Sequence, residues 1–411
     1  MEIRPILSAL LRNKTGPVLV AVQVALSLAI LANALHIVQV RQAVSARESG
    51  LTNEQDVFAL QIRNLQAGTH EEQLANQLRN ADTLRAVPGV SSVATSWQMP
   101  LSRSGNYTSL AVNRKQTTPT ANASVYRSAD SLIKTWGLQL IEGRDFLPGE
   151  VPIIDQNISD ETGSAMIITR RLGEKLWPGS SSYVGKAFYF GMGDTAREAR
   201  VVGVVDKLQT PGAQISEQGE FSVLMPLRAT GGKSFNYTLR AEPGQLDRVM
   251  KEAEVAVRAN SALPVIVKIR PMNEFRTSRY RADKALAWML LTVSVLLLLI
   301  TASGIVGMAS LWVTQRRKQI GVRRALGARR VDILRYFLTE NFMITSAGIG
   351  AGVLLALAVN QLLVSQLELA RLPAAYLIGG ALIFWTLGVI AVYGPAWRAA
   401  SISPATATRT A

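Results

Sequence analysis

The sequence predicts a membrane protein with four transmembrane α-helices and an α/β extracytoplasmic domain, made of a split βαβ subdomain and an inserted β-rich subdomain. Three observations lead there. Four apolar runs are each long enough to cross a hydrocarbon core of about 30 Å. The stretch from about residue 41 to about residue 280 contains no such run. The chain of 411 residues is 48% hydrophobic and only 18% charged, which is typical of membrane segments combined with a soluble part.

The formal charge of +15 is concentrated beside apolar runs. Residues 314–336, which we call the basic segment, hold eight Lys or Arg and one Asp and therefore carry +7. Such an excess marks a short cytoplasmic loop between transmembrane helices. A plainer alternative is that these charges only orient the protein and touch anionic lipid headgroups. Nucleic-acid binding is disfavoured, because no basic stripe with interleaved aromatic residues occurs elsewhere.

Residues 1–16 predict a short amphipathic helix on the cytoplasmic membrane surface. Residues 17–40 then predict the first transmembrane helix, because this apolar run is longer than the roughly 7 to 15 residues of a signal-peptide core. The alternative is a signal peptide that is removed. Small residues at helical spacing, among them Ala21 and Ala25, would let another helix pack closely.

Residues 41–280 are predicted to form one extracytoplasmic domain. Its ends, about 52–99 and about 226–275, each show a strand, a helix and a strand, which together make the split βαβ subdomain. In the first half, a capping box at Thr69 opens a helix whose buried stripe is expected to contain Leu74, Leu78 and Ala81. The insertion, about 100–225, alternates short strands with turns and predicts the β-rich subdomain.

The C-terminal part predicts three more transmembrane helices around the basic segment. A polar helix from about Arg279 is expected to continue into the second span, so that one long helix links the domain to the basic segment. Gly348 and Gly352 form a small-xxx-small pair for packing in the third span. The segments are the second span with its extension at 281–313, the basic segment at 314–336, the third span at 337–363, the fourth at 374–397 and a cytoplasmic tail at 398–411.

The sequence shows no pattern of catalytic or metal-binding residues. Cysteine is absent and only His36 and His70 are present, which argues against thiol chemistry and His-based metal centres. Gly232-Lys233-Ser234 resembles the end of a phosphate-binding loop, but Leu227 stands where the leading glycine is needed. The acids of the insertion, Asp160 and Glu161 among them, are scattered over loops. We therefore expect no active site, no metal site and no cofactor in this chain.

The most specific pattern is RRKQIGVRRALGARRVDILRYFLTEN at residues 316–341. It resembles the signature R-x-x-E-I-G-x-R-R-A-L-G-A, followed by I-L-x-x-F-L-x-E, of the MacB/FtsX-type permeases of ATP-driven export and mechanotransmission systems. Weaker matches at 137–146, 172–188, 201–205 and 395–409 extend the resemblance over nearly the whole chain. Two positions depart from the family, because Gln319 stands in place of Glu and Thr406 replaces an acid in the family's ending.

The resemblance implies a multi-pass protein of the bacterial inner membrane, with cytoplasmic termini and a periplasmic domain. ATP and Mg would bind to an ABC ATPase, which is expected on a separate cytoplasmic chain because only 16 residues precede the first span. A second permease, in a homodimer or heterodimer, is a further implied partner. A periplasmic adaptor and an outer-membrane channel are candidate partners, membrane lipids surround the spans, and no nucleic acid is expected.

The resemblance also places contact with the ATPase on a short helix within the basic segment. Gln319, Val322, Ala325 and Leu326 share one face at helical spacing, and we call these four residues the coupling face. Four arginines of the segment are expected to project as cationic donors toward acids of the ATPase. The complete predicted site is Arg316, Arg317, Gln319, Ile320, Gly321, Val322, Arg323, Arg324, Ala325, Leu326 and Gly327, with the last residue ending the helix.

On this resemblance the chain is a non-catalytic permease or mechanotransmission subunit. It would couple ATP hydrolysis to motion of the periplasmic domain, for export or handling of a drug, a peptide or a lipoprotein. The alternative is an FtsX-like regulator that passes this motion to a periplasmic cell-wall hydrolase without transport. A membrane-anchored enzyme and a secondary transporter have less support, because the sequence offers neither a catalytic set nor a charged residue at mid-membrane depth. The sequence does not specify the substrate.

Overall fold

The structure is a computed structural model that describes residue 10 and residues 14–66, 68–159, 162–261, 264–367 and 371–401. Most of the amphipathic helix predicted over 1–16, the acids Asp160 and Glu161, and the tail from residue 402 with Thr406 lie outside the described residues. The chain divides into two compact units. We call Val44–Ala282 the extramembrane unit, and the chain on either side of it, Met1–Ala43 with Asp283–Ala411, the membrane unit.

The extramembrane unit contains both helices and strands, and the regular elements among the described residues of the membrane unit are helices. The helices are α1 (Thr15–Ser45), α2 (His70–Arg85), α3 (Leu132–Trp136), α4 (Arg170–Leu176), α5 (Leu246–Asn260), α6 (Met272–Gln315), α7 (Arg317–Ala325), α8 (Arg330–Leu367) and α9 (Ala374–Ala400). The strands are β1 (Val57–Asn64), β2 (Val90–Thr95), β3 (Tyr107–Ala111), β4 (Ala121–Ser128), β5 (Leu140–Gly143), β6 (Ile153–Asp155), β7 (Ala165–Thr169), β8 (Ala187–Phe190), β9 (Arg197–Val205), β10 (Ser222–Pro226), β11 (Arg228–Thr230), β12 (Ser234–Ala241) and β13 (Val265–Pro271).

The two ends of the extramembrane unit form one four-stranded sheet in the order β13-β1-β12-β2. Strand β12 lies antiparallel between β1 and β2, and β1 lies antiparallel between β12 and β13. The halves β1-α2-β2 and β12-α5-β13 therefore interleave, so that each supplies the strand that completes the other. Phe58, Leu60 and Leu239 are fully buried on the face that packs against the helices.

Helix α2 buries a more polar stripe than the sequence predicts. The capping box is present, with the Thr69 side chain accepting from the Glu72 amide. Leu78 is exposed, however, and the buried side chains are Gln73, Gln77, Asn80, Ala81 and Leu84. The expected burial of Leu78 is therefore wrong, whereas that of Ala81 is confirmed and Leu74 is half-buried. The two buried glutamines are satisfied because Gln73 Nε2 donates to the Gly68 carbonyl and Gln77 Nε2 donates to the Ala229 carbonyl, both at 2.7 Å.

The insertion contains a closed barrel. Its sheet runs β5-β9-β7-β10-β4-β3-β8, and β8 also pairs with β9, so that six strands close into a ring. Closure depends on the length of β9, because Arg197–Arg200 pairs with β8 while the remainder continues beside β7. The interior is filled by fully buried side chains such as Met166, Ile168 and Phe188.

Helix α6 begins at Met272 instead of near Arg279, because its first turns are anchored in the core of the extramembrane unit. Met272 and Tyr280 are almost completely buried there, and Phe275 is only 8% exposed. At a rise of 1.5 Å per residue, its 44 residues span about 66 Å. One uninterrupted helix thus extends from this core into the membrane unit.

Arg276 of α6 forms a paired ion contact with Glu54, at 2.6 Å from Nε and 2.9 Å from Nη2. Ser49 Oγ also donates to Glu54, at 2.6 Å. Burial raises the pKa of Glu54, but the hydrogen bonds from Arg276 and Ser49 lower it by more, so that the pKa lies below its ordinary value.

We expect this pair to make stability depend on acid pH. A carboxyl whose pKa is lower in the folded state stabilises the protein above its unfolded pKa of about 4.3, and the benefit is lost as pH falls through the lower folded pKa. The thermal midpoint of the wild type should therefore exceed that of Glu54→Gln at pH 7, and the gap should narrow at pH 3. A gap of equal size at both pH values would contradict this assignment.

Four helices of the described chain are long and apolar enough to cross a membrane: α1, α6, α8 and α9. The helices α1, α6 and α8 extend well past the spans predicted at 17–40, 281–313 and 337–363, and α9 lies close to the predicted 374–397. The extra turns include charged and polar residues, as at the start of α8, where the Asp332 carboxylate accepts from the Arg329 amide at 2.9 Å. Most of the basic segment is consequently helical.

The polar residues of α1 hold the membrane helices together. Ser27 Oγ lies 2.9 Å from Thr301 Oγ1 of α6, and Asn33 Nδ2 donates to the Ala356 carbonyl of α8 at 3.1 Å. The His36 ring lies 5.4 Å from the Tyr376 ring of α9. Polar groups inside a hydrocarbon layer favour such partners over lipid.

Gly348 and Gly352 of α8 lie directly against α1. A Cβ atom added at Gly348 would lie 2.7 Å from the Ala21 carbonyl oxygen, and one added at Gly352 would lie 3.0 Å from Ala25 Cα. The two small-residue pairs that the sequence analysis singled out separately therefore face each other, and they bring the two backbones into contact.

Candidate functional site

The site predicted in the basic segment is built on α7, a helix of nine residues that ends in a Schellman motif. Gly327 follows with φ of +96°, a conformation that favours glycine. The Gly327 amide donates to the Arg324 carbonyl at 3.2 Å, and the Ala328 amide donates to the Arg323 carbonyl at 3.1 Å. The chain can thus reverse sharply into α8.

The two sides of α7 differ in burial. Ile320 and Gly321 are buried, and Ile320 packs in the core of the membrane unit. Both residues belong to the predicted coupling site, which stays a prediction, and in the structure they lie on the side that anchors the helix. The coupling face points the other way, since all four of its residues are exposed, with Val322 at 51% and Leu326 at 83%. Gln319 makes no side-chain hydrogen bond with the part of the chain that the structure describes.

Arg316, which the sequence analysis expected to project outward, turns inward to a buried acid of α8. Its Nη1 donates to both carboxylate oxygens of Glu340, at 2.9 Å and 2.7 Å. The Glu340 side chain is 1% exposed and that of Arg316 is 21% exposed. Burial lowers the pKa of Arg316, but its bonds to Glu340 raise it by more, so that the guanidinium stays protonated. The pair ties the start of α7 to α8.

Arg323 and Arg324 are also partly engaged. The Arg323 guanidinium lies 5.2 Å from the centre of the Tyr336 ring, and Arg324 Nη1 donates to the Ala328 carbonyl at 3.1 Å. The remaining cations of the segment are exposed, and their side chains make no ion pair or hydrogen bond with the described residues. These are Arg317, Lys318, Arg329, Arg330 and Arg335. Arg323 and Arg324 have no acidic partner among the described residues, so they contribute to the positive field around the coupling face together with these five.

The sequence analysis missed the pairing of Glu340. A signal was available, because Glu340 is an acid inside a predicted span and must find a cation or a proton there. Choosing among eight basic residues in the preceding segment required the fold, since α7 must turn at Gly327 before Arg316 can approach α8.

Two family models match this chain. An FtsX-like permease C-terminal model matches residues 291–404, which include α7 and the coupling face. A MacB-like periplasmic core domain model matches residues 23–284, more than half of the chain. The chain belongs to the MacB/FtsX-type permease family. The predicted family and fold class are thereby confirmed, and as a family member with four apolar helices the chain is a multi-pass inner-membrane protein.

Curated relatives of this MacB/FtsX-type permease agree with the family models. It is 25% identical over 339 residues to the macrolide export ATP-binding/permease protein MacB of Hahella chejuensis, which covers 79% of this chain and 47% of the relative. It is 35% identical over 127 residues to the pyoverdine export ATP-binding/permease protein PvdT of Pseudomonas syringae pv. tomato, which covers 31% of this chain and 19% of the relative. The permease spans less than half the length of these curated relatives.

Among solved structures, a domain of a putative permease from Porphyromonas gingivalis shares 14% identity with this permease, at a TM-score of 0.34. The match covers 54% of this chain and 92% of that one.

Proposed function

We propose that this chain is the permease part of an ABC-type complex, in which a cytoplasmic ABC ATPase drives motion of the extramembrane unit. The motion serves export or handling of a periplasmic or membrane-held substrate. On this proposal the chain itself catalyses no reaction, and ATP with Mg²⁺ binds to the ATPase. A second permease, identical or related, completes the membrane part. The coupling face and both termini then lie in the cytoplasm, and the extramembrane unit lies in the periplasm.

The observation that carries the proposal is the coupling face itself. Val322 and Leu326 are exposed apolar side chains on a short helix that is fixed from behind by Ile320 and by the Arg316–Glu340 pair. Exposed apolar residues on a rigid helix, surrounded by unpaired cations, fit a partner that offers an apolar groove with an acidic rim. Because the helix is anchored by Ile320 and by the Arg316–Glu340 pair, and is connected directly to α6 and α8, movement of such a partner would be passed to these two helices.

A lipid surface is the competing explanation for the same charges. Lipid headgroups would bind all the cations of the segment, whereas the affinity of a protein groove depends on the apolar side chains that enter it. If the segment binds lipid, a new acidic residue should have a similar effect at any exposed position of the segment. If it binds a protein groove, substitutions in the coupling face should have a much larger effect than substitutions elsewhere.

The test replaces Val322 and Leu326 by Asp and measures how much ATPase copurifies with the chain from its native membranes. Loss of two central apolar contacts is expected to reduce the recovered ATPase about tenfold or more. The matched control is Val331→Asp on α8, since Val331 is also 51% exposed but lies outside the coupling face. It should recover the wild-type amount.

Three results would count against the proposal: no ATPase with the wild-type chain, full recovery with Val322→Asp/Leu326→Asp, or an equal loss in Val331→Asp. The last result would point to charge alone and therefore to the lipid surface. Far-UV circular dichroism of each purified variant would show whether the helices remain folded.

A further inference from the structure

Two adjoining cavities lie on the extramembrane unit beside Trp97. The first has a volume of about 340 Å³ and the second about 440 Å³. Trp97, Asn236 and Tyr237 line both cavities and form their common wall. We call the two cavities together the groove. Trp97 lies two residues after the end of β2 and is 43% exposed. The Arg127 guanidinium lies 5.4 Å from the centre of its ring, so the indole offers a ligand the part of its flat surface that Arg127 does not cover.

The floor of the second cavity is a polar row on the face of the four-stranded sheet that carries Gln61 and Asn236. Gln61 of β1 lies opposite Asn236 of β12 and opposite Lys268 of β13. Gln61 Nε2 donates to Asn236 Oδ1 at 2.9 Å, which fixes the two amides. Lys268 therefore lies two strands from Asn236, a distance of about 10 Å. A cation and an indole stand at the two ends of this row.

The groove carries positive charge without acidic side chains. The described residues that line it include Arg228, Lys233, Lys268 and Arg270 but no Asp or Glu. Arg270 is already paired with Glu274 at 2.9 Å, and Arg228 lies 3.9 Å from Asp130. Lys233 and Lys268 are exposed and make no ion pair with the described chain. Two lysines, one in each cavity, are thus available to a ligand.

The rim of the second cavity is held in an unusual conformation. The backbone φ is +62° at Leu101 and +77° at Arg103, and residues other than glycine rarely adopt such values. Leu101 is fully buried, and the Arg103 amide donates to the Pro211 carbonyl at 2.8 Å. Backbone in this region persists only where the surroundings impose it, and such positions cluster at ligand sites. Met99, Ser102 and Ser104 of this rim line the cavity.

We propose that the groove binds an amphipathic organic anion. Its apolar or aromatic part would lie on Trp97, and its carboxylate, sulfonate or phosphate would pair with Lys233 or Lys268. The polar row of Gln61 and Asn236 would hydrogen-bond the middle of the ligand. Identifying this ligand with the substrate that the complex handles rests on the proposed function, whereas the binding itself does not.

The test uses the full chain in nanodiscs of zwitterionic phosphatidylcholine and 2-naphthalenesulfonate as the probe, titrated by calorimetry against empty nanodiscs. Lys233→Gln/Lys268→Gln and Trp97→Ala should each weaken binding about tenfold. The matched control is Lys134→Gln/Lys251→Gln, which removes the same charge from exposed lysines that line neither cavity. Its affinity should equal that of the wild type. The cation 2-naphthylmethylammonium should bind at least tenfold more weakly than the sulfonate.

The proposal is overturned if 2-naphthalenesulfonate binds no better than to empty nanodiscs, if the cationic probe binds equally well, or if the control double variant loses as much affinity as the groove variant. Val322→Asp/Leu326→Asp should leave the affinity for the probe unchanged. If no ATPase copurifies with the chain but the probe still binds as expected, the proposed function is wrong and the proposed ligand site remains supported. If the ATPase copurifies as expected but the probe does not bind, only the proposed ligand site is wrong.

Discussion

Replacing Arg316 by Ala is expected to lower the free energy of unfolding by about 3 kcal/mol, the usual cost of leaving one member of a buried ion pair without its partner. Glu340, whose side chain is 1% exposed in the wild type, would then lose the cation that contacts it. The carboxylate would then have to bind a proton or be hydrated by water that enters the helix packing, and either change lowers the free energy of unfolding. The quantity to measure is the midpoint of an SDS titration of the full chain, followed by tryptophan fluorescence.

Arg317→Ala is the matched control, because it removes the same charge from the next residue. Arg317 is exposed and makes no ion pair with the described chain, so its loss should change the free energy of unfolding by less than about 0.5 kcal/mol. Removing both partners, in Arg316→Met/Glu340→Met, should recover most of the stability, since a packed apolar pair often replaces a buried ion pair without loss. Equal effects of Arg316→Ala and Arg317→Ala would show that the pair contributes nothing specific.

The difference between the buried Arg316 and the exposed residues of α7 bears on how the coupling face works. If Arg316 is a structural residue, Arg316→Ala should reduce stability and coupling together. Val322→Asp, by contrast, should reduce coupling alone, because the Val322 side chain is half exposed and holds nothing in place. The two variants thus separate the support of α7 from the surface that it presents.

The fold could be predicted from the sequence wherever the apolar residues of a segment are also the residues that become buried. Apolar runs predict membrane helices because the hydrocarbon layer imposes one requirement on every residue of a span. Helix α2 shows where this reasoning stops. Its buried Gln73 and Gln77 reach backbone carbonyls, which makes a polar residue acceptable in the interior, and nothing in the local pattern reveals such partners.

Closure of the barrel also lies beyond local pattern. The sequence predicts short strands in the insertion, but closure depends on Arg197–Arg200 extending β9 far enough to meet β8. That pairing is decided by the curvature of the whole sheet. The groove was missed for the same reason, since Trp97, Lys233 and Lys268 belong to three separate segments that only the fold brings to one surface.

Part of the candidate site could be predicted. Helical spacing alone predicted the face shared by Val322 and Leu326, and the preference of glycine for positive φ predicted the end of α7 at Gly327. Helical spacing did not indicate which side of α7 faces the membrane unit. For that reason the inward turn of Arg316 and the burial of Ile320 and Gly321 could not be predicted.

Gly348→Ala is the second substitution for which we expect a large effect, a loss of about 1 to 3 kcal/mol. The added methyl would lie 2.7 Å from the Ala21 carbonyl oxygen and 2.9 Å from Val24 Cβ. Ala21 contributes backbone atoms to this contact, and backbone cannot rotate away as a long side chain can. The two helices would have to separate along the contact between α1 and α8, and the thermal midpoint of the detergent-solubilised chain should fall.

Gly350→Ala provides the control on the same helix, two residues away. Gly350 is exposed, and a methyl there would meet nothing within 4 Å. Alanine also favours helix over glycine by up to about 1 kcal/mol, so the expected change is zero or a small gain. If Gly348→Ala behaved like Gly350→Ala, the backbones of α1 and α8 could not be in contact at Ala21. Opposite signs for the two variants are expected only if the small residues serve close packing and not general helix flexibility.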